Sequence, residues 1–187
     1  MHSQLREPCA GTGGGLAPRE GAADNAAPAT QVHRHPDMYT ATSKRLTNEG
    51  ARKILESAFA QAREAGIQVA VAIVDGGGNM LLLERMDTAR FHLVHSSTTK
   101  AVCAASNKRP TTSKGAVAQP LDVAHAIGLA LAAGPHRWTA MEGGCPIIFD
   151  GECVGGVGVS GGSWEIDARI AEEAVKSIGA AISIDGK

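Results

Sequence analysis

Aromatic residues are scarce in this chain: two Trp, one Tyr and three Phe make up 3% of 187 residues. A core built on stacked rings is therefore excluded, and Val, Ile, Leu and Ala must fill it, interleaved with 23 glycines. Excess charge is missing as well. A formal net charge of -1 leaves no basic footprint for nucleic acid and no polybasic patch for a membrane surface. No apolar run reaches the roughly 18–20 residues that a membrane-spanning helix requires. The four cysteines, Cys9, Cys103, Cys145 and Cys153, form no CxxC pair, so a zinc site is not indicated. Walker A, HExxH, GxSxG and kinase signatures are all absent, and the glycines lack GxGxxG spacing in a βαβ context.

What remains is 43% apolar and 20% charged, a globular composition of one-domain length. Residues 1–40 hold four of the eight prolines and a GTGGG run, with no hydrophobic period and no apolar stretch of signal-peptide type. They read as a flexible N-terminal extension, His33 and His35 being either a metal pair or solvated tail residues. Residues 41–187 read as the folded domain.

Within it, Thr47 is a candidate N-cap, and Ile54, Leu55, Ala58 and Ala62 recur at helical spacing until Gly66. The run IQVAVAIVDGGGNMLLLERMD predicts a hairpin around the glycines of 75–79. A second helix is expected over about 89–105. A third should start near Pro120 and end at Gly134-Pro135. A short strand is expected at 137–141, a second hairpin at 145–149 and 152–160, and a last helix over about 164–178. The order α-β-β-α-α-β-β-β-α implies an α+β domain: a central antiparallel sheet of about five strands flanked by helices. In the second hairpin, a turn at Asp150-Gly151 pairs Ile148 with Cys153 and Cys145 with Gly156. That register sends the two thiols to opposite faces and predicts no disulfide, in keeping with a reducing, cytoplasmic setting.

The strand CVGGVGVS poses a sharper problem. Val157 and Val159 point one way; Gly156, Gly158 and Ser160 point the other. A side-chain-free strand face implies close approach by something. Because helix packing alone seldom needs two successive same-face glycines, the expectation is a ligand plane or the backbone of a second subunit. On that view Gly158→Val harms binding or assembly more than folding.

Several stretches can carry chemistry. In SGGS (160–163), the backbone amides of Gly161, Gly162 and Ser163 can receive a carboxylate or phosphate at a helix start; equally, Ser163 can simply cap that helix. In ERMD (84–87), Arg85 and Asp87 share a face and either form an ion-paired platform for a bound acid or an exposed edge pair. His92, His95, Ser96 and Thr99 fall on one stripe of the second helix, suited to a metal, haem iron or proton transfer, or else to plain solvation. Lys100 lies off that stripe beside small residues, where burial would make it a base or an anion grip. The loop residues Arg109, Thr111, His136 and Arg137 are candidate ligand clamps. His125 reads most simply as a core histidine. No motif assigns a metal.

Taken in order, VAIVDGGGNMLLLERMD, the TTKA turn, RPT, and GGCPIIFDGECVGGVGVSGG followed by Asp167 resemble the GlcG/HbpS-like haem-binding family. That family includes the C-terminal domain of PduO-type proteins. The resemblance covers roughly residues 45–180. It implies an α+β domain with a central antiparallel sheet, assembly into dimers or higher homo-oligomers, and haem or a related tetrapyrrole as ligand in some members. The first helix carries no histidine, so an iron ligand would come from His92, His95, His125 or His136.

Two functions follow, beside a blander third, an oligomeric accessory protein whose bare strand face is only an interface. One is a small-ligand-binding protein of the GlcG/HbpS type, holding haem or a related tetrapyrrole and accessory to a catabolic pathway, with no other cofactor. The alternative is a cofactor-free enzyme, an isomerase, deaminase or hydratase of a small carboxylate catabolite. It would use Lys100, Arg85 and Asp87 for catalysis, with Arg109 and the Gly161–Ser163 amides gripping the substrate. Expected partners are the small ligand and further copies of the chain, not nucleic acid or membrane.

Overall fold

The structure, a computed structural model, describes residues 39–115 and 117–184. The extension expected over 1–40, with Cys9, His33 and His35, lies outside the described residues save for its last two positions. The described residues from Thr42 onward form one compact unit.

The first helix, α1 (Asn48–Glu64), starts where its cap dictates: the Thr47 hydroxyl accepts from the Gly50 amide at 3.1 Å. Its apolar stripe of Ile54, Leu55, Ala58 and Ala62 is buried, and Gly66 ends it at φ +67. Strands β1 (Ala70–Asp75) and β2 (Met80–Arg85) form the expected hairpin. The Asp75 carboxylate locks its turn by accepting from the Gly77 and Asn79 amides, each at 2.9 Å. Helix α2 (Leu93–Asn107) begins a turn later than expected, because 86–92 makes isolated turns first. Helix α3 (Val123–Ala133) is capped by Asp122, whose carboxylate accepts from the His125 amide at 2.9 Å. Strands β3 (Gly144–Phe149) and β4 (Glu152–Ser160) precede α4 (Trp164–Lys176), capped by Ser163.

The result is an α+β domain with one antiparallel sheet in the order β2-β1-β4-β3. It has four strands among the described residues, not five. The strand expected at 137–141 does not form. The outer edge of β3, where it would have paired, is taken: Thr111 exchanges hydrogen bonds with Gly144, and Ala181 does so with Ile148.

The second hairpin also differs from its expected register. Ile148 pairs with Cys153 as expected, but Cys145 pairs with Val157 and Pro146 with Gly156. Val154 is an extra residue on β4, a bulge that shifts the pairing by one. Cys145 and Cys153 nevertheless lie on opposite faces and are free, as is Cys103.

Two layers cover the sheet. On one face α1 and α4 pack against Val71, Ile73, Cys145, Ile147, Val157 and Val159, all fully buried. Each such Val or Ile contributes about 1.5–3 kcal/mol by leaving water. On the other face lie Ala72, Val74, Gly144, Gly156 and Gly158, and α2 covers them with Ala101 and Ala105.

This arrangement corrects the expectation for the bare strand. A Cβ on Gly158 would sit 2.0 Å from the Ser97 carbonyl oxygen, and one on Gly156 would sit 2.3 Å from that of Ala101. One on Gly144 would meet the Lys100 carbonyl at 2.4 Å. The approaching body is a helix of the same chain. Small residues on both partners let the α2 backbone lie directly on the sheet backbone, a separation no Cβ tolerates. The glycines are flanked by Gly144 and Pro146 on β3, not by Cys145 and Ile147.

Helix α3 contrasts with all of this. Its sequence, VAHAIGLALAA, is almost wholly apolar, yet none of its residues is buried. Val123 and Leu131 are 72% and 76% exposed. An apolar helix normally belongs inside something.

Candidate functional site

Lys100 is the most deeply placed of the sequence-predicted residues. Its side chain is 5% exposed, and Nζ donates to the Asp167 carboxylate at 2.9 Å and to the Val159 carbonyl at 2.8 Å. Asp167 in turn accepts from the Gly162 amide at 2.8 Å and the Gly161 amide at 3.3 Å. The SGGS corner therefore does receive an anion, and that anion is this chain's own carboxylate. Ser163 takes the capping role, its hydroxyl accepting from the Ile166 amide at 3.4 Å. The cluster ties α2 to β4 and α4, and every buried polar side-chain atom among the described residues has a partner.

Arg85 and Asp87 lie elsewhere, in an exposed cleft of about 420 Å³ with Phe59, Arg63 and Thr88. The Arg85 guanidinium turns to the Ala89 carbonyl rather than to Asp87. Nothing in that cleft connects it to Lys100.

Arg109, Thr111, His125, His136 and Arg137 gather in two clefts beside the C-terminal part of α2. A cleft of about 740 Å³ is walled by the glycine turn 76–79, by Thr98, Val102 and Ser106 of α2, and by His136, Arg137 and Trp138. A second cleft of about 390 Å³ holds Arg109, Thr111, Lys114, His125 and Leu129. The two share Asn107 and Trp138 as a common wall. His125, expected in the core, is exposed on α3 and faces this second cleft instead.

The wall is held from below. Asn107 donates to the Cys103 sulfur at 3.4 Å, and the Cys103 thiol donates to the Thr139 carbonyl at 3.6 Å. Burial pushes the Cys103 thiol up from its ordinary pKa, so it stays neutral and inert. Glu142 pins the neighbouring loop by accepting from the Ser113 hydroxyl at 2.6 Å and its amide at 2.8 Å. Burial works against the Glu142 charge, but those two bonds, with its own backbone amide and the Lys100 charge, together outweigh it and hold the carboxyl below its ordinary range. Thr111, 6% exposed, spends its hydroxyl on the Gly144 amide at 2.8 Å.

His92 is exposed at the start of α2, its ring edge-on to Phe91. His95 is exposed too, and its ring lies 6.4 Å from that of His136. The stripe of the sequence thus divides: Ser96 and Thr99 bond back to the helix carbonyls of His92 and His95, leaving the imidazoles outward. Sequence reasoning passed over Thr98, Val102 and Ser106. Their i, i+4, i+8 spacing was a legible signal of a second stripe beside the histidines.

A larger cleft of about 770 Å³, between residues 44–53 and Phe149, Val154 and Ile178, contains none of the sequence-predicted residues. Two of its cations are already paired, Lys44 with Asp150 and Lys53 with Glu49.

One antiparallel sheet with a helix pressed onto its glycine face, and a mixed imidazole–guanidinium–indole cleft at that helix's end, define an α+β domain of the type the motifs suggested. The chain belongs to the HbpS-like family: the family model described as "Haem degrading protein HbpS-like" matches residues 46–176. Over 130 residues it is 36% identical to an uncharacterized 15.0 kDa protein of the dhaT-dhaS intergenic region of Citrobacter freundii, covering 70% of this chain and 89% of that one. The crystal structure of the Klebsiella pneumoniae protein ORFY matches with a TM-score of 0.66 at 33% identity, over 77% of this chain and 98% of that one. A crystal structure of a PduOC–haem complex matches with a TM-score of 0.64 at 26% identity, over 75% of this chain and 99% of that one.

Proposed function

We propose that this protein binds haem or a related tetrapyrrole in the cleft at the end of α2 and serves a catabolic pathway as an accessory. The observation that carries this reading is the meeting of His136, Arg137, Trp138 and Val102 in one cleft of about 740 Å³. That volume is within the range of about 300–1,000 Å³ usual for ligand pockets. The donor set suits a tetrapyrrole. The imidazole can ligate iron, the guanidinium can pair with a propionate, and the indole and Val102 offer apolar surface to the ring. Arg109 and Lys114 in the adjoining cleft extend the cationic side. Membership in the HbpS-like family and the haem complex of a relative support the same ligand. The test is a haemin titration of the full chain followed by absorption. Binding should produce a sharpened Soret band that weakens in Arg137→Ala and Trp138→Ala; an unchanged free-haemin spectrum with the wild-type chain would refute the reading.

The second part of the proposal is self-association through α3. Four of the twelve large hydrophobics exposed among the described residues, Val123, Ile127, Leu129 and Leu131, stand on this one helix. It carries no Asp, Glu, Lys or Arg. Such a surface is self-complementary, since a two-fold axis brings apolar against apolar with no like charges opposed. A second copy of the chain is the occupant. An 11-residue helix is about 16 Å long, so neighbouring segments must add to reach the roughly 800 Å² per partner of a stable interface. Light scattering should give an oligomer for the wild type and a smaller mass for Ile127→Lys/Leu131→Lys; an unchanged mass rules this face out.

No helix among the described residues is long and apolar enough to cross a membrane. The free thiols of Cys103, Cys145 and Cys153 support a reducing, cytoplasmic setting.

A further inference from the structure

From the position of His95 against His136, we infer a further binding site, for a single late first-row divalent metal ion, which forms in the absence of tetrapyrrole and competes with it for His136. The two residues come from different elements, α2 and the loop after α3, and their ring centroids are 6.4 Å apart. With metal–nitrogen bonds of about 2.0–2.1 Å, two imidazoles on one ion have centroids about 5 Å apart at a tetrahedral angle and about 6.4 Å apart when opposed. The observed spacing lies at the wide end of that range, and both side chains are exposed and able to turn toward the narrower one.

Neither imidazole makes a hydrogen bond to another described residue, so no existing bond must break for an ion to bind. Their backbone is stiffened meanwhile: the Thr99 hydroxyl donates to the His95 carbonyl at 3.0 Å, inside a helix whose far side lies on the sheet. Paired neutral imidazoles favour Zn(II), Ni(II) and Cu(II) over Mg(II) or Ca(II), which prefer oxygen. Among the described residues no group of three or more His, Cys, Asp or Glu is placed to hold a metal. The site is therefore open, with the remaining coordination positions left to water or an exogenous donor. Because His136 also lines the 740 Å³ cleft, the ion sits at that cleft's rim, where an anionic ligand can reach it.

The experiment is a calorimetric titration of the full chain with Ni(II) and with Zn(II), repeated for His95→Ala, His136→Ala, the double variant and His92→Ala. Any exposed histidine can take up an ion weakly by itself, so the signature is a coupled loss. Each single variant should lose the same site, weakening it by about tenfold or more, and the double variant should lose nothing further. His92→Ala, whose ring packs on Phe91, should keep it. Thermal melts confirm that each variant is folded, as exposed positions allow. Wild-type affinity and stoichiometry in either single variant, or separate additive losses from the two, would overturn the inference. Because His136 cannot serve both, the metal titrations use haemin-free protein and the haemin titration metal-free protein; failure of haem binding leaves this site standing, and failure of metal binding leaves the haem reading to its own test.

Discussion

The two faces of the sheet are made by opposite means. Toward α1 and α4, branched side chains interdigitate: Val71, Ile73, Val157 and Val159 fill space and bring dispersion contacts. Toward α2 there is almost nothing to interdigitate, and the helix backbone rests on the glycines of β3 and β4. The first face is stabilised by volume and tolerates small losses of it. The second is stabilised by proximity and tolerates no addition. Both faces belong to one strand, alternating residue by residue, so a single stretch of β4 obeys two sets of rules.

Substitutions on β4 and around α2 separate those rules. Gly156→Val should have the largest effect, because its Cβ alone would lie 2.3 Å from the Ala101 oxygen and 3.0 Å from the Ala105 nitrogen. Overpacking against backbone should exceed the about 1–3 kcal/mol usual for added methylenes, and expression trials should return little soluble folded chain. Next comes the polar clamp. Removing one partner of a buried pair typically costs about 3–5 kcal/mol. Asp167→Ala should cost more than Lys100→Met, since it also orphans the Gly161 and Gly162 amides. Urea melts of the two variants give the order directly, and equal midpoints would contradict it. On the branched face, Val157→Ala should cost about 2 kcal/mol and leave the fold intact.

The smallest effect is pH-dependent. Hydrogen bonds from Asn79, side chain first and then backbone, with those of the Gly77 and Gly78 amides, hold the Asp75 carboxyl below its ordinary range. A depressed folded-state pKa means that the stability it adds is fully present above the unfolded value. That stability is lost as pH falls through the lower, folded one. Asp75→Asn should therefore flatten the acid limb of the stability profile by lowering stability slightly at neutral pH, and leave acid pH, where the carboxyl is already protonated, nearly unchanged, as thermal melts across pH would show.

Much of this was legible in the sequence, for local reasons. Caps at Thr47 and Ser163, stop signals at Gly66 and Gly134, and alternation in VAIV and GVGVS mark the elements. What local pattern could not supply was who lies opposite whom. Trp138–Met141 has strand-like composition, but Thr111 and Ala181 already occupy the edge it would need. Val154 looks like any strand residue until its bulge shifts the register. Lys100 and Asp167 are 67 positions apart, so the anion filling the SGGS amides could not be named from spacing. The glycine face was read correctly as bare. Its occupant is set by the small residues of α2, Ser97, Ala101, Ala104 and Ala105, which no local pattern places opposite it. Of the cleft, His136, Arg137 and the Trp138 ring were legible as a loop cluster; the wall of α2 they face was not.

The most direct test of this account is a paired measurement on Gly158→Ala, which adds one methyl group at a position 2.0 Å from the Ser97 oxygen. Its urea midpoint and its haemin titration should be recorded on the same preparation. If α2 rests on the sheet as described, the midpoint falls sharply, and any haemin binding that remains tracks the folded fraction. A variant that melts like the wild type yet no longer binds haemin would show that this face is open to ligand, and would contradict the packing described here.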